Sequence, residues 1–214
     1  MSNKKTIVFD LDDTLIKEID YLKSAFHEIA NFVDCNDINL FDQMLNWYLV
    51  KQNVFENIQD RFSKINIQDL KNIYRYHFPD FDSNSKNRQL LIDLKQKKFK
   101  LGLISDGFSK TQRNKLKALA IEDLFDLIII SEEFGSEKPN INNFEIFHQF
   151  ETQEYFYVAD NVGKDFVTPN KLGWQTICLL DNGQNVHQQN FDLELSYLPT
   201  IKIADLNEIL IFIS

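Results

Sequence analysis

The segment Thr6-Ile7-Val8-Phe9-Asp10-Leu11-Asp12-Asp13-Thr14 decides how the rest of the chain is read. A short β-branched and aromatic run passes directly into a cluster of acids. Such a run suits a strand covered on both faces, which is the pattern of a parallel sheet. Comparable runs lie at 101–104, 127–130, 155–158 and 177–180. Helical patterns separate the later ones: Leu116 and Leu119 after Ser109, Phe144 and Phe147 after Asn142, and the segment 166–172. Strand and helix alternate, which predicts an α/β fold: a Rossmann-like parallel sheet flanked by helices, with right-handed crossovers. A last strand and helix are expected over 201–203 and 205–213.

The stretch 17–82 breaks this alternation and reads as helices only. Leu22, Phe26, Ile29 and Val33 recur at helical spacing, as do Phe41, Leu45 and Tyr48. Leu70, Ile73, Tyr74 and His77 do so again before Pro79 ends the run. An aromatic stripe at this spacing is the core of a helix bundle. The expected organisation is therefore an α/β core built from 1–16 and 83–214, with a helical subdomain, 17–82, inserted over the mouth of the sheet. The Asn/Gln-rich stretch 181–189 is expected to be an exposed loop.

Composition narrows the function classes. Of the 214 residues, 43% are hydrophobic and 26% charged, ordinary values for a globular protein with a real core. No apolar run approaches the roughly 20 residues needed to cross a bilayer. The apolar run ending at Asp10 is too short for a signal-peptide core, so the expected compartment is the cytoplasm. A net charge of −9, with only 95–100 dense in lysine, argues against nucleic acid as a partner. The two cysteines, Cys35 and Cys178, lie far apart and lack metal-ligand spacing.

Ligands of an open parallel sheet bind at the carboxyl ends of its strands. Here those ends carry Asp10-Leu11-Asp12, Ser105-Asp106-Gly107 and Ala159-Asp160-Asn161, and the loop after the third run carries Lys138-Pro139. One acid after one strand is usually a helix cap. An ordered series, one feature per strand end, points to a site.

These motifs resemble those of the haloacid dehalogenase (HAD) superfamily, in order and over nearly the whole chain. The resemblance implies Asp10 as nucleophile and Asp12 as general acid/base, from the pattern Asp10-Leu11-Asp12-Asp13-Thr14. It implies Ser105 and Lys138 as phosphate-binding residues, and Asp160 with Asp165 as the paired acids of the last motif. Mg²⁺ is the implied cofactor, held by Asp10, Asp160, the main-chain carbonyl of Asp12 and, directly or through water, Asp165. Ala159 stands where many relatives have glycine, a position at which a methyl group should be tolerated. The helical insert matches the family's small α-helical cap.

The implied chemistry has a physical rationale. A carboxylate is ionised at neutral pH and can attack phosphorus without an activating base. Bringing it near a phosphate dianion costs about 8 kcal/mol at ~4 Å and an effective dielectric near 20. Mg²⁺ and one lysine offset that cost. Asp12 would protonate the leaving alcohol and then activate water against an aspartyl-phosphate, help typically worth about 10² to 10⁴ in rate. The expected function is a phosphatase acting on a small phosphate monoester, such as a sugar or nucleotide phosphate. A phosphomutase needs the same acids and is the alternative; a non-catalytic binding protein is less consistent with intact motifs. Dehalogenating relatives lack the second acid, so Asp12 argues against that chemistry.

Overall fold

Residues 5–213 are described by the computed structural model. Among them β1 (Lys5–Phe9) is followed by helices α1 (Glu18–Asp34), α2 (Leu40–Leu49), α3 (Val54–Arg61) and α4 (Ile67–Tyr76). Helix α5 (Lys86–Gln96) precedes β2 (Lys100–Ser105), and α6 (Ser109–Ala118) follows it. Strands β3 (Leu127–Ile130), β4 (Glu154–Ala159), β5 (Gln175–Leu179) and β6 (Ile201–Ile203) complete one parallel sheet in the order β3-β2-β1-β4-β5-β6. The chain winds outward in both directions from β1. The crevice beyond the carboxyl ends of β1 and β4 is therefore the place where such a sheet takes a ligand.

The two-residue period of a strand divides each one between two cores. Ile7, Phe9, Leu101, Leu103, Phe156, Val158 and Ile177 face one side, against Leu90, Leu91 and Leu94 of α5 and Leu116 of α6. Val8, Ile104, Tyr157, Ala159 and Cys178 face the other, against Phe144, Phe147, Phe166 and Trp174. Each fully buried Phe contributes about 1.5–3 kcal/mol, so this aromatic layer is a large part of what holds the second face. Gly102 makes it possible, because a Cβ there would lie 2.2 Å from the Phe147 ring.

Some elements differ from the apolar spacing. The segment around Phe144 is one helical turn, Asn142–Glu145, continued by a 3₁₀ stretch to Phe150. The expected terminal helix is a 3₁₀ turn capped by Asp205 and Glu208, then a single turn, Ile209–Phe212. Helix α3 falls within the stretch read as helical, though Val54 with Ile58 is too brief a stripe to mark it; α5 is additional, since Leu90 with Leu94 is equally brief. In the basic stretch 95–100, Lys95 lies in the last turn of α5 and Lys100 opens β2, and both pair with Asp126, at 2.9 Å each.

Helices α1–α4 enclose their own cluster of Leu22, Phe26, Ile29, Leu40, Met44, Ile58 and Leu70. Asn53 and Asn66 cap α3 and α4 by accepting from Glu56 and Gln68 amides. The insert is tied back on itself where it rejoins the core. Tyr21 donates to the Tyr74 carbonyl at 2.5 Å, and His77 lies between the Ser24 hydroxyl, at 2.7 Å, and the Glu28 carboxylate. No helix among the described residues is long and apolar enough to cross a membrane.

Candidate active site

The end of β1 sets the geometry. The Asp10 amide still donates to Val158 of β4 at 2.9 Å, so its side chain emerges where the two central strands end. The chain then turns tightly: Leu15 and Ile16 amides both donate to the Leu11 carbonyl, and Asp13 takes φ +55°. Asp13 accepts from the Glu18 amide at the start of α1 (3.0 Å) and from the Val186 amide (2.8 Å). It thus pins both the insert and the 181–189 loop to the strand end.

Lys138 is the hub of the site. Its buried ammonium lies 2.6 Å from Asp10 and 2.8 Å from Asp165, with the Tyr157 hydroxyl at 3.3 Å. Asp165 also accepts from the Asn161 amide at 3.0 Å, which fixes the carboxylate that fixes the lysine. Asp160 accepts from the Asn185 side chain at 2.9 Å. Asp106 accepts from the Lys138 amide (3.1 Å) and from Lys164 Nζ (2.8 Å). Ser105, Asp10, Asp12, Lys138, Asp160 and Asp165 all line one cavity of about 150 Å³, so the six residues expected at the site lie around a single opening.

Carboxylate oxygens of Asp10, Asp160 and Asp165 lie within 4.8 Å of one another. Asp12 is arranged differently. Its oxygens are taken by Lys115 Nζ (2.7 Å) and Gln112 Nε2 (2.9 Å), on the side facing the insert. Beyond Asp12 opens a second cavity of about 380 Å³, lined by Tyr21, Phe55, Tyr74, Arg75 and Phe108, with the Arg75 guanidinium 3.9 Å from the Phe108 ring centre.

Crowding of acids in a buried site governs the electrostatics. Burial pushes the Asp10 carboxyl up to about 7 against the pull of Lys138, and Asp165 and Asp12 add to the rise. Burial, then Asp10 and Asp165, push Asp160 up to about 8. Burial opposes the charge on Lys138, but Asp10 and Asp165 outweigh it and hold the ammonium well above its ordinary value. Glu18, half-buried at the rim, is pushed up to about 7 by burial and by Asp12. One lysine does not offset three clustered carboxyls. An all-oxygen donor set of this kind fits a hard divalent cation.

Several residues at the site gave no signal in the sequence. Asn185 and Gln189 come from the expected exposed loop, yet Asn185 bonds the Asp160 carboxylate and Gln189 the Asp160 carbonyl. His187 lines the smaller cavity from the same loop. Gln112 and Lys115 lie on α6, where only Leu116 and Leu119 marked the helix in the sequence, yet both are buried. Glu132 and Glu133 do not orient Lys138: they accept from the Ser109 amide and from Arg113. Arg61 is occupied by Asp37, and Arg88 by the Ala120 carbonyl.

A family model for haloacid dehalogenase-like hydrolases matches residues 7–179, and the chain belongs to that family of enzymes. A protein from Methanocaldococcus jannaschii named glyceraldehyde 3-phosphate phosphatase is 31% identical over 207 residues, covering 82% of this chain and 85% of the relative. The HAD hydrolase YfnB from Bacillus subtilis, solved bound to magnesium, superposes with a TM-score of 0.64 at 18% identity and 99% coverage of both chains. The L-2-haloacid dehalogenase of Xanthobacter autotrophicus superposes at 0.59, with 13% identity and 96% coverage of each. The fold is thus shared with a dehalogenase, so the chemistry has to be argued from the site.

Proposed function

We propose that this chain is a Mg²⁺-dependent phosphatase that hydrolyses a small phosphate monoester through an aspartyl-phosphate on Asp10. The observation that carries the reading is Lys138, buried between Asp10 and Asp165 beside Asp160, a cationic hub at a strand-end opening. An Asp10 oxygen attacks phosphorus, and the ester P–O bond breaks as Asp12 passes its proton to the departing oxygen. A water oxygen then attacks the aspartyl-phosphate, its proton goes to Asp12, and the Asp10–phosphorus bond breaks to release phosphate. Lys138 and Ser105 hold the phosphoryl oxygens, and Lys138 keeps Asp10 aimed. Asp10, Asp160 and the Asp12 carbonyl, with Asp165 beside them, would hold Mg²⁺, whose charge would let an anionic phosphate approach a carboxylate.

The phosphatase names of the relatives support this reading, and the acid two residues after Asp10 distinguishes it from dehalogenation. The helical insert acts as a cap, with the larger cavity beneath it holding the leaving group. Free Cys35 and Cys178 fit a reducing, cytoplasmic setting. The test is phosphate release from a panel of phosphate esters with Mg²⁺ or with EDTA, alongside Asp10→Asn. Turnover should need the metal and vanish in the variant. Wild-type turnover in Asp10→Asn would remove Asp10 as nucleophile, and a phosphorylated isomer in place of free phosphate would reassign the enzyme as a mutase.

A further inference from the structure

Helix α6 is unusual in what it buries. Thr111, Gln112, Asn114 and Lys115 are each at most 8% exposed, on a helix that gives the core little more than Leu116. Buried polar groups must be partnered, and buried charges above all. The partners fall into two sets. Thr111 donates to the Arg75 carbonyl at 2.8 Å, and Asn114 to the Tyr76 and His77 carbonyls at 3.0 and 2.9 Å. These carbonyls close the last turn of α4, where the insert returns to the core. Lys115 and Gln112, on the same helix, take the two oxygens of Asp12 at 2.7 and 2.9 Å.

Both grips on Asp12 are built into the surroundings. Lys115 Nζ also lies 4.6 Å from the centre of the Tyr21 ring, so α1 of the insert backs it. Gln112 Nε2 donates as well to the Asp106 carbonyl at 2.7 Å, anchoring it to the turn after β2. That turn runs through Gly107 at φ +135°, and a Cβ there would lie 2.9 Å from Gln112 Nε2. With both oxygens held, the Asp12 carboxylate faces the cavity under the insert while Asp10 is held by Lys138.

We propose that Gln112 and Lys115 are positioning residues that hold Asp12 on the leaving-group side of the site, and that α6 ties this orientation to the seating of the insert. The inference rests on the phosphatase reading and adds to it residues that act through Asp12 without touching the reacting atoms. Asp12 assists departure of a poor leaving group and attack of water, whereas p-nitrophenolate departs without a proton. Loss of the grip therefore has a kinetic signature that simple loosening of the fold does not share.

The test compares Lys115→Met, Lys115→Arg and Gln112→Leu with the unmodified chain in Mg²⁺, using p-nitrophenyl phosphate and glycerol 3-phosphate. Lys115→Met should release a burst of p-nitrophenolate near one equivalent per site, then turn over about 10- to 100-fold more slowly, a part of the help acid/base catalysis supplies. Glycerol 3-phosphate should lose kcat by at least as much with little change in KM. Lys115→Arg should restore part of the loss. Gln112→Leu, which keeps the ion pair, should show a weaker form of the same burst and decides the matter if Lys115→Met does not fold. Unchanged turnover in the variants while Asp12→Asn is inactive would overturn the proposal. So would burst and turnover falling in equal proportion, the mark of lost folded sites. Absence of Mg²⁺-dependent turnover in the unmodified chain would instead overturn the phosphatase reading, and this inference with it.

Discussion

Without metal, this protein should lose stability as the pH rises, and Mg²⁺ should abolish that loss. Unfolded aspartates deprotonate near 3.8, whereas Asp10 and Asp160 in the fold hold protons until about 7 and about 8. Between those limits the native state binds more protons than the unfolded state. Linkage then requires the contribution of this pair to be fully present below about pH 4, to fall through the interval and to level off above about pH 8. At about 1.4 kcal/mol per tenfold change in proton affinity, Asp10 alone corresponds to roughly 4 kcal/mol. Asp10 and Asp160 are 6% and 3% exposed, so water screens little of this. They also share one repulsion, so their contributions do not add. The expected loss between about pH 5 and about pH 8 is about 3–5 kcal/mol, a large fraction of the 5–15 kcal/mol typical of a domain. Held by the ionised carboxylates of the native state alone, Mg²⁺ would flatten the slope. Urea denaturation at both pH values, in EDTA and in excess Mg²⁺, measures this directly. Equal stability at the two pH values in EDTA, or a slope that ignores Mg²⁺, would refute the reasoning. Asp160→Asn should remove a substantial part of the slope.

Other perturbations have distinct readouts. Lys138→Met leaves Asp10 and Asp165 buried without their cation and should cost about 3–5 kcal/mol by denaturation above neutral pH, less in acid, with turnover abolished. Asn185→Ala removes the 2.9 Å donor to Asp160 and should weaken Mg²⁺ binding about 10- to 100-fold by titration calorimetry, with little change in melting temperature in EDTA. Gly107→Ala forces a side chain onto φ +135° and against Gln112; it should cost about 1–3 kcal/mol in urea denaturation and reproduce the slowed turnover of Gln112→Leu.

Much of the fold was legible because parallel strands write continuous apolar runs and their ends write acids. The run before Asp10, the run before Ser105 and the run before Asp160 became β1, β2 and β4, adjacent in the sheet. Lys138 was legible only as a position in an ordered series, and its burial between two carboxylates could not be read from the loop that carries it. The 181–189 loop shows the limit most clearly. Its Asn and Gln residues look solvated by composition, yet Asp13 holds the Val186 amide and brings Asn185 to Asp160, contacts that span 173 and 25 residues of chain.

By itself the sequence determined the sheet, the helical composition of the insert and the acids at the strand ends, because local periodicity and turn chemistry suffice for those. Only the tertiary structure decided how the acids are held. Asp10 and Asp12 are two residues apart in the chain, yet one is held by Lys138 from the β3–β4 connection and the other by Lys115 from α6. The physical reason is that a charged side chain reads the same in sequence whether it meets water or a buried partner, and only packing removes the water.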